Sequence, residues 1–296
     1  MLFSQNIIPT ERITNWSKAG LADSLPVPDT VINITDFGAI PDDNINDDSA
    51  FQTALSQSTG QILQIFIPAG EYNLTQTINL PSGTYIKGES AYDVLLNFNL
   101  SQAHDLISAK GTISQDSTVI QNLHKFDTSL TYTDSTAVFE PGNILLINQN
   151  AGSYVTSSWA EHTMGQIVKV KDTTGNKLFI DSEIRHNYPD TNNPVIIKIN
   201  PVTNIGISSL SIKRSDSQNL QLSNIKFEYV RNAKIHAIIS SDCIFSHVSL
   251  MYASQIIIEG SYFHHAHDYG GGGRAYGVEI SFSSGECLVV NNIFEH

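Results

Sequence analysis

The sequence predicts an all-β solenoid, in which short strands stack in successive coils. Two observations predict it: a recurring apolar pattern near the C-terminus and a low content of charged residues, 15%. The copies of the pattern are Ile205–Ile207–Leu210–Ile212, Leu220–Leu222–Ile225–Phe227, Ile256–Ile258–Ser261–Phe263 and Cys287–Val289–Asn292–Phe294, with a weaker copy at Ile238–Ser240–Cys243–Phe245. A short β pattern that recurs with variable insertions is typical of a solenoid, whose coils lie about 4.8 Å apart.

The spacing of the copies indicates where loops are inserted. Successive copies are offset by 15, 18, 18 and 31 residues. An offset of 15 residues is short for a full coil, so the register of the first repeat stays open. The longest offset predicts a loop after Phe263, and loops of a solenoid commonly carry its function.

The composition bears on two classes of partner, nucleic acids and acidic polymers. The chain has 16 Lys and Arg against 29 Asp and Glu, a formal charge of −13. Because nucleic-acid binding needs a basic stripe, this balance argues against a nucleic-acid partner. It also disfavours a purely electrostatic hold on an acidic polymer, which would need a local cationic loop or a bound calcium ion. No run of 18 apolar residues occurs, so no transmembrane helix is predicted.

Two cysteines are too few for a disulfide framework. Cys243 occupies the variable position of its repeat and Cys287 the first apolar position. Because these positions belong to different columns of the stack, we expect two buried thiols that are not adjacent.

The N-terminal part predicts one helix among several strands. Residues 1–30 form an irregular arm, whose first five residues are either an ordinary start or the remnant of a signal peptide. An acidic group precedes an amphipathic stretch, which predicts a capped helix near residues 47–58. The acidic residues are Asp42, Asp43, Asp47 and Asp48, and we assign them to the cap rather than to catalysis. The expected strands lie at 31–39, 62–67, after the turn 68–72, at 77–80 and at 84–88.

These segments resemble the N-terminal part of the pectate-lyase-like superfamily. The motifs that carry the resemblance are Asp36–Ala39 (DFGA), Asp47–Gln52 (DDSAFQ), Ile67–Tyr72 (IPAGEY) and Leu80–Gly88 (LPSGTYIKG). The resemblance implies a right-handed parallel β-helix with an N-terminal capping helix. It does not imply pectate as substrate, because the same entry motif opens lyases, glycoside hydrolases, epimerases and phage tail spikes. The catalytic patterns of polygalacturonases and pectate lyases are not visible after residue 100.

The middle of the chain interrupts the repeats. Residues 115–200 contain strands near 143–147 and 166–170 and a hairpin turn at 173–176, which predicts a β-rich insertion in a β-helix domain spanning 31–296. The stretch from there to His264–His265 looks like secreted β-helix proteins of bacteria, which implies a secreted or cell-surface location. The last repeat has no polar cap, so we expect a C-terminally truncated β-helix or an end covered by another subunit.

The densest polar cluster is the predicted loop after Phe263. It combines three histidines and four glycines with acidic, basic and phenolic groups, which can bind sugars and move protons. The catalytic candidates are His265, His267, Asp268, Tyr269, Arg274, Tyr276 and Glu279, and His264 is a substrate-binding candidate. A flexible surface loop with solvated histidines is the alternative. A metal site at His264, His265, His267 and Asp268 is a further hypothesis, because alternate residues of a strand share a face.

Two other segments carry substrate-binding candidates. Trp159, Glu161 and His162 lie together in the insertion, where an exposed Trp beside Glu and His would suit a sugar subsite, although a local core Trp is the alternative. Arg185 begins a polar stretch at a strand exit, whose alternative is a charged turn.

The residues favour a secreted polysaccharide-active protein, and three functions stay open. The first is a lyase that cleaves a uronate-containing glycan by β-elimination, with His265 or His267 as base, Arg274 neutralising the carboxylate, and Tyr269 or Tyr276 as acid. The second is a glycoside hydrolase that uses two carboxylates chosen from Asp268, Glu279, Glu161 and Glu259. The third is a non-catalytic carbohydrate-binding or adhesin solenoid. The glycan and the oligomeric state stay open.

Overall fold

The computed structural model describes residues 8–9, 12–21, 24–134, 136–152, 155–217 and 220–295. The prediction that residues 1–5 are either an ordinary start or the remnant of a signal peptide concerns a segment outside the described residues. Within these ranges one α-helix, α1 (Asp48–Leu55), accompanies 24 strands. The strands are β1 (Thr30–Asn33), β2 (Leu63–Ile67), β3 (Gly70–Leu74), β4 (Ile78–Asn79), β5 (Thr84–Gly88), β6 (Val94–Phe98), β7 (Ile107–Lys110), β8 (Thr112–Gln121), β9 (Ser129–Tyr132), β10 (Ile144–Asn148), β11 (Gly165–Thr174), β12 (Lys177–Ile180), β13 (Val195–Asn200), β14 (Val202–Ser208), β15 (Ser211–Arg214), β16 (Ile225–Glu228), β17 (Val230–His236), β18 (Ile239–Cys243), β19 (Ser246–Met251), β20 (Ser254–Glu259), β21 (Tyr262–Ala266), β22 (Tyr276–Ser281), β23 (Leu288–Val290) and β24 (Ile293–Glu295). Short 3-10 helices span Ile34–Phe37, Ser158–Ala160 and Asp190–Asn192.

Three parallel sheets form a β-helix in which each complete coil contributes one strand to each sheet. Sheet A has the order β1-β2-β5-β14-β17-β20-β23, sheet B the order β3-β6-β15-β18-β21-β24, and sheet C the order β4-β7-β16-β19-β22. The predicted right-handed parallel β-helix, with its capping helix and β-rich insertion, is confirmed.

The register of the coils differs from the one that the repeats predict. On sheet A, Ile207 pairs with Ile235, Ile235 with Ile258, and Ile258 with Val289, so these coils span 28, 23 and 31 residues. The copy that begins at Leu220 is wrong in register, because Leu220 is exposed and precedes β16 on sheet C. The weaker copy at Ile238 is also out of register, because Ile212, the fourth position of the first copy, pairs with Ser240, the second position of the weaker copy. On sheet A, Ile205 and Ile207 pair with Ala233 and Ile235, which the repeats did not include.

Sharp corners between the sheets depend on residues in the left-handed conformation, which costs about 1–2 kcal/mol per residue. At the corner from sheet C to sheet A these are Tyr229, Tyr252 and Phe282. Their rings follow one another with centroids 4.8 and 5.7 Å apart, and this contact offsets the backbone cost. Inside sheet A, Asn204 and Asn232 are also left-handed, and the Asn232 amide donates to the Asn204 amide oxygen at 2.7 Å.

The capping helix α1 is tied to the first coil by two carboxylates. Asp47 accepts a hydrogen bond from the backbone N–H of Asn73, and Asp48 accepts one from the N–H of Thr75, both at 3.0 Å. Asp47 makes no side-chain bond to the helix, so its function is to join the helix to β3. On the inner side, Phe51 lies edge-on to Tyr72 with ring centroids 6.4 Å apart. The helix is shorter than the predicted 47–58.

The insertion forms a compact unit of its own over Ile113–Ile199, together with the described residues before Ala19. Six strands close into a barrel in the order β10-β11-β12-β9-β8-β13. Its core consists of aliphatic residues such as Ile120, Leu145, Val168 and Leu178.

The two cysteines lie in different sheets, but only one is buried. Cys243 is on sheet B with no exposed surface, and burial raises the pKa of its thiol to about 12. Cys287 precedes β23 of sheet A and is half-buried, because β23 is the outermost described strand of that sheet. The expectation of two buried thiols is therefore wrong for Cys287.

We expect Ile235→Ala to lower the free energy of unfolding by about 2–5 kcal/mol, because Ile235 lies in the inward column and has no exposed surface. Chemical denaturation monitored by circular dichroism measures this change. The control Lys213→Ala, on the exposed face of β15, should change stability by less than about 0.5 kcal/mol. Equal effects of the two substitutions would contradict the assigned register.

Candidate functional site

Connections from sheet B to sheet C lie in one row along the stack, which we call the B–C corner. They are residues 75–77, 99–106, 215–217 with 220–224, 244–245 and 267–275. Because successive coils are in register, side chains from these sequence-distant segments become neighbours along the axis. The predicted loop after Phe263 is the last of these connections.

The outward face of sheet C carries a polar row beside this corner. Strand pairing places Asn79 next to Ser108, Ser108 next to Lys226, Lys226 next to Ser249, and Ser249 next to Glu279. Four steps of about 4.8 Å give the polar row a length of about 19 Å. Of its five members, sequence reasoning identified only Glu279. The others alternate with apolar inward residues, but pairing them required the register of the coils.

The polar row has a cation near its centre and a carboxylate at one end. The Lys226 amino group lies 3.8 Å from Oδ2 of Asp105, while Oδ1 of Asp105 accepts a hydrogen bond from the Ser223 N–H at 2.7 Å. At the end of the row, the Ser249 hydroxyl donates to Oε2 of Glu279 at 2.6 Å. A ligand on this face would therefore meet both charge signs.

A groove of about 820 Å³ lies at the other end of the polar row. Its lining combines amides, hydroxyls, an imidazole and a carboxylate with two leucines. The lining residues are Gln52, Leu55, Thr75, Gln76, Thr77, Asn79, Leu100, Ser101, Gln102, His104, Asp105 and Ser108. Volumes of about 300–1,000 Å³ are typical of small-molecule sites. Sequence reasoning missed this groove, which we call the cap pocket, because its residues come from three separate segments.

The loop 267–275 is held by an internal ion pair. Nη1 of Arg274 lies 2.7 Å from Oδ2 of Asp268, and Oδ1 of Asp268 accepts a hydrogen bond from the Gly270 N–H at 2.8 Å. Arg274 therefore already binds a carboxylate, and a substrate carboxylate would have to compete with Asp268 for it.

The three loop histidines do not share one face. His265 has the left-handed conformation, which breaks the strand alternation that would place it on the same face as His267. His265 instead contacts His264, with their Nδ1 atoms 2.7 Å apart. Burial and the neighbouring His265 lower the pKa of His264. Nε2 of His267 lies 3.0 Å from the Arg214 carbonyl oxygen, to which it donates.

The two tyrosines differ in their surroundings. The Tyr269 hydroxyl accepts a hydrogen bond from the Ala266 N–H at 2.8 Å, so this side chain folds back onto the end of β21. Tyr276 begins β22 and lies edge-on to Phe245, with ring centroids 5.4 Å apart. Both rings are partly exposed, at 54% and 44%.

Beneath the corner lies a buried polar network that sequence reasoning missed. The guanidinium of Arg214 has no exposed surface and pairs with Asp216 at 2.9 Å. Its Nε donates to Asn224 at 3.4 Å, and the Asn224 amide donates to the Ser240 hydroxyl at 3.0 Å. Ser240 lies 2.9 Å from Nδ1 of His247. A further bond from Nη2 of Arg214 to the His104 carbonyl oxygen at 3.0 Å reaches a third coil, so the network joins three coils beneath the loops.

Burial determines the protonation of His247. Desolvation, aided by the nearby His264, lowers the pKa of His247 to about 3, although a hydrogen bond to the backbone of His265 opposes the shift. His247 is therefore neutral in the folded protein at ordinary pH.

The candidates in the insertion belong to a different unit from the loop 267–275. Trp159 lies in the 3-10 helix Ser158–Ala160 and is 72% exposed, so the core alternative is wrong. Glu161 and His162 are also exposed, and the His162 carbonyl oxygen accepts a hydrogen bond from Asn148 at 2.7 Å. The Arg185 N–H donates to Gln166 at 3.0 Å. Their role in substrate binding stays a prediction.

Metal binding finds no support in the geometry. Throughout the described ranges, no group of three or more His, Cys, Asp or Glu converges to hold a metal ion. His264, His265, His267 and Asp268 each have the other neighbours given above, so they do not form one ligand set.

Comparisons with known proteins identify the family and the fold. The family model described as "Rhamnogalacturonase A/epimerase, pectate lyase-like" matches residues 31–248. No curated protein matches the chain. Among the described residues, no helix is long and apolar enough to cross a membrane.

Solved structures of phage tailspikes share the fold at low identity. The tailspike gp49 of Pseudomonas phage LKA1 has a TM-score of 0.68 and 16% identity over 84% of this chain and 44% of gp49. The tailspike Gp54 of Acinetobacter baumannii bacteriophage AP22, solved with a capsular saccharide, has a TM-score of 0.59 and 14% identity over 88% of this chain and 46% of Gp54. The chain therefore spans about half the length of these proteins.

We expect the free energy of unfolding to decrease as the pH is lowered from about 6.5 to about 3, in part because of His247. The unfolded chain protonates this residue near pH 6.5, whereas the folded chain does not until about pH 3. In this window the unfolded state binds the extra proton, so each pH unit costs up to about 1.4 kcal/mol. Urea denaturation at several pH values should show a smaller slope for His247→Asn. The exposed control His124→Asn should keep the wild-type slope, and an unchanged slope in His247→Asn would contradict the assignment.

We expect Asp268→Asn to loosen the loop 267–275 without unfolding the protein. The substitution removes the ion pair with Arg274 but keeps an oxygen that can accept from Gly270, whereas Asp268→Ala removes both. Hydrogen exchange of the loop amides should therefore rise in the order wild type, Asn, Ala. Global stability should change by less than about 1 kcal/mol, because the pair is exposed. Identical exchange in all three proteins would show that the pair does not hold the loop.

Proposed function

The chain belongs to the rhamnogalacturonase A/epimerase, pectate lyase-like family, and we propose that it binds a polysaccharide along the polar row of sheet C and cleaves it at the B–C corner. The observation that carries this proposal is the row from Asn79 to Glu279, which follows the axis of the β-helix with Ser249 buried and its other four members exposed or partly exposed. A linear row of hydroxyl, amide and charged groups matches a linear polymer rich in hydroxyls. The tailspike of phage AP22, which has a similar fold, was solved with a capsular saccharide.

For the reaction, β-elimination at a uronate is the first candidate. It requires neutralisation of the carboxylate, a base that removes the C5 proton, and an acid that protonates the leaving oxygen as the C4–O bond breaks. Lys226 supports this choice, because its amino group is only loosely paired with Asp105 at 3.8 Å. We assign neutralisation to Lys226 instead of Arg274, whose ion pair with Asp268 is shorter at 2.7 Å.

The base and the acid come from the ends of the two strands that flank the last corner loop. His265 is exposed at the end of β21 and is a better base candidate than His267, whose Nε2 is used by the Arg214 carbonyl. Tyr276 is partly exposed at the start of β22 and is our candidate acid. Tyr269 is the weaker candidate, because its hydroxyl is folded onto the backbone of Ala266.

Hydrolysis is the second candidate, and Glu279 favours it. Its carboxylate is half-buried and receives a hydrogen bond from Ser249 at 2.6 Å, a setting that orients a carboxylate for acid or nucleophilic chemistry. The other carboxylate would be Asp268 on the adjoining loop. Glu259 is a weaker choice, because it lies on sheet A whereas Glu279 lies on sheet C. Glu161 belongs to the insertion unit.

A polysaccharide ligand also bears on location. Polymers of this kind are present at cell surfaces and outside cells, so a secreted or surface-exposed protein is part of the proposal. The proposal includes no nucleic-acid partner, because the chain carries a formal charge of −13.

A panel of uronate-containing and neutral glycans tests the reaction. Absorbance near 235 nm and reducing ends are followed together, since β-elimination creates a conjugated double bond whereas hydrolysis yields reducing ends alone. Glu279→Gln should abolish turnover if hydrolysis is correct and reduce it less if β-elimination is correct. Binding without either signal would indicate a carbohydrate-binding solenoid, and no binding to any glycan would overturn the proposal.

We expect Lys226→Gln to weaken binding of a uronate-containing glycan by about ten- to a hundredfold, the usual effect of losing a charged hydrogen bond. Isothermal titration calorimetry with the glycan selected by the panel measures this loss. The matched control Lys213→Gln changes the same residue type on sheet B and should leave affinity unchanged. Equal losses in the two variants would show that overall charge, and not the polar row, governs binding.

A further inference from the structure

The cap pocket occupies the end of the polar row nearest the capping helix. Its walls are α1, which contributes Gln52 and Leu55, and the corner connection 99–106. Its floor is formed by β4 and β7 through Asn79 and Ser108, the first two members of the polar row. The pocket and the proposed binding face are thus one continuous surface.

Helix α1 closes this surface at one end. Its inner side chains Phe51 and Ala54 are buried against the first coil, and the Gln52 amide donates to Gln76 at 2.6 Å, which joins the helix wall to the corner connection 75–77. Among the described strands, β4 is the outermost of sheet C on this side, so the row has no further rung there beyond Asn79. A polymer on the polar row is therefore open to continue only toward Glu279.

The lining of the cap pocket matches an uncharged sugar. Among the described residues that line it, none is Lys or Arg, whereas Asp105 contributes a carboxylate. The side-chain amides of Gln52, Gln76 and Gln102 can both donate to and accept from sugar hydroxyls. The partly exposed Leu55 offers apolar surface for the carbon face of a ring, whereas Leu100 is buried in the core. Lys226, which lies 3.8 Å from Asp105, does not line the pocket, so an acidic sugar inside it would meet a carboxylate and no directly contacting lysine or arginine.

From these observations we infer that the cap pocket binds the terminal, uncharged sugar of the polysaccharide. This inference rests on the proposed function and deepens it: the substrate is a heteropolysaccharide with a neutral sugar at its end and an anionic group near Lys226. Asn79 and Glu279 are about 19 Å apart along the polar row. Cleavage near Glu279 would therefore release short fragments of uniform length from one end of the polymer.

The binding test does not require the natural polymer. The probes are methyl glycosides of glucose, galactose, mannose, rhamnose and N-acetylglucosamine, compared with the uronates of glucose, galactose and mannose. Side-chain amide resonances of Gln76, Gln102 and Asn79 in ¹⁵N–¹H NMR spectra report on the cap pocket. We expect at least one neutral glycoside to shift these resonances, and the uronates to bind about tenfold or more weakly.

Two variants and one control make the test specific. Asn79→Trp fills the floor of the pocket and should abolish the shifts, and Gln102→Ala, at an exposed position, should weaken them with little effect on folding. The matched control Gln57→Ala lies just after α1 outside the pocket and should leave them unchanged. No shift with any neutral glycoside, or uronates that bind as well, would overturn the inference.

Product sizes separate this inference from the proposed function. With a glycan that the protein cleaves, the wild type should release short fragments of one length from the first time points, and Asn79→Trp should lose this uniformity. Fragments of random length from the wild type would reject the terminal-sugar pocket while leaving cleavage at the polar row intact. No binding of any polymer, with glycosides still binding at the pocket, would reject the polar row alone.

Discussion

The stacking of parallel strands in register is the constraint on which the rest of this structure depends. Each inward residue lies on the equivalent residue of the next coil, as Ile207, Ile235 and Ile258 do on sheet A. The same strand pairing also aligns the outward residues of successive coils into columns, although these residues do not contribute to the core. Because side chains alternate, a buried column such as Phe227 and Leu250 is necessarily flanked by an outward column such as Lys226 and Ser249.

This constraint brings distant segments to one functional face. Asn79 and Glu279 are 200 residues apart in the sequence, yet the same sheet carries both, four strands apart. The proposed binding surface is therefore a product of the regular fold and not of one loop. Its charges differ along the row, with a cation near the centre and carboxylates beside it, so the surface can distinguish neutral from acidic sugars by position. The capping helix adds direction, because it closes one end.

Buried polar groups supply the rigidity beneath this face. Arg214, fully buried, bonds to Asp216 and Asn224, and the network continues to Ser240 and His247. A buried charge is tolerated only when it is paired and hydrogen-bonded, and these bonds link successive coils at the B–C corner. The loop histidines lie on this support, since His267 bonds to the Arg214 carbonyl and His247 to the backbone of His265. The last corner loop is thereby anchored at its start.

The sequence by itself determined the class of fold, the capping helix, the β-rich insertion and the long loop after Phe263, because apolar alternation and turn residues are local signals. It could not determine the register, since the spacing of Leu220 and Leu222 imitates a repeat that tertiary packing does not use. Nor could it show that Arg274 is occupied by Asp268, or that a left-handed backbone at His265 separates it from His267. Those outcomes depend on contacts between coils, as does the assembly of Asn79, Asp105, Lys226 and Glu279 on one face. Because the loops between strands vary in length, the linear sequence does not reveal which residues meet in successive coils.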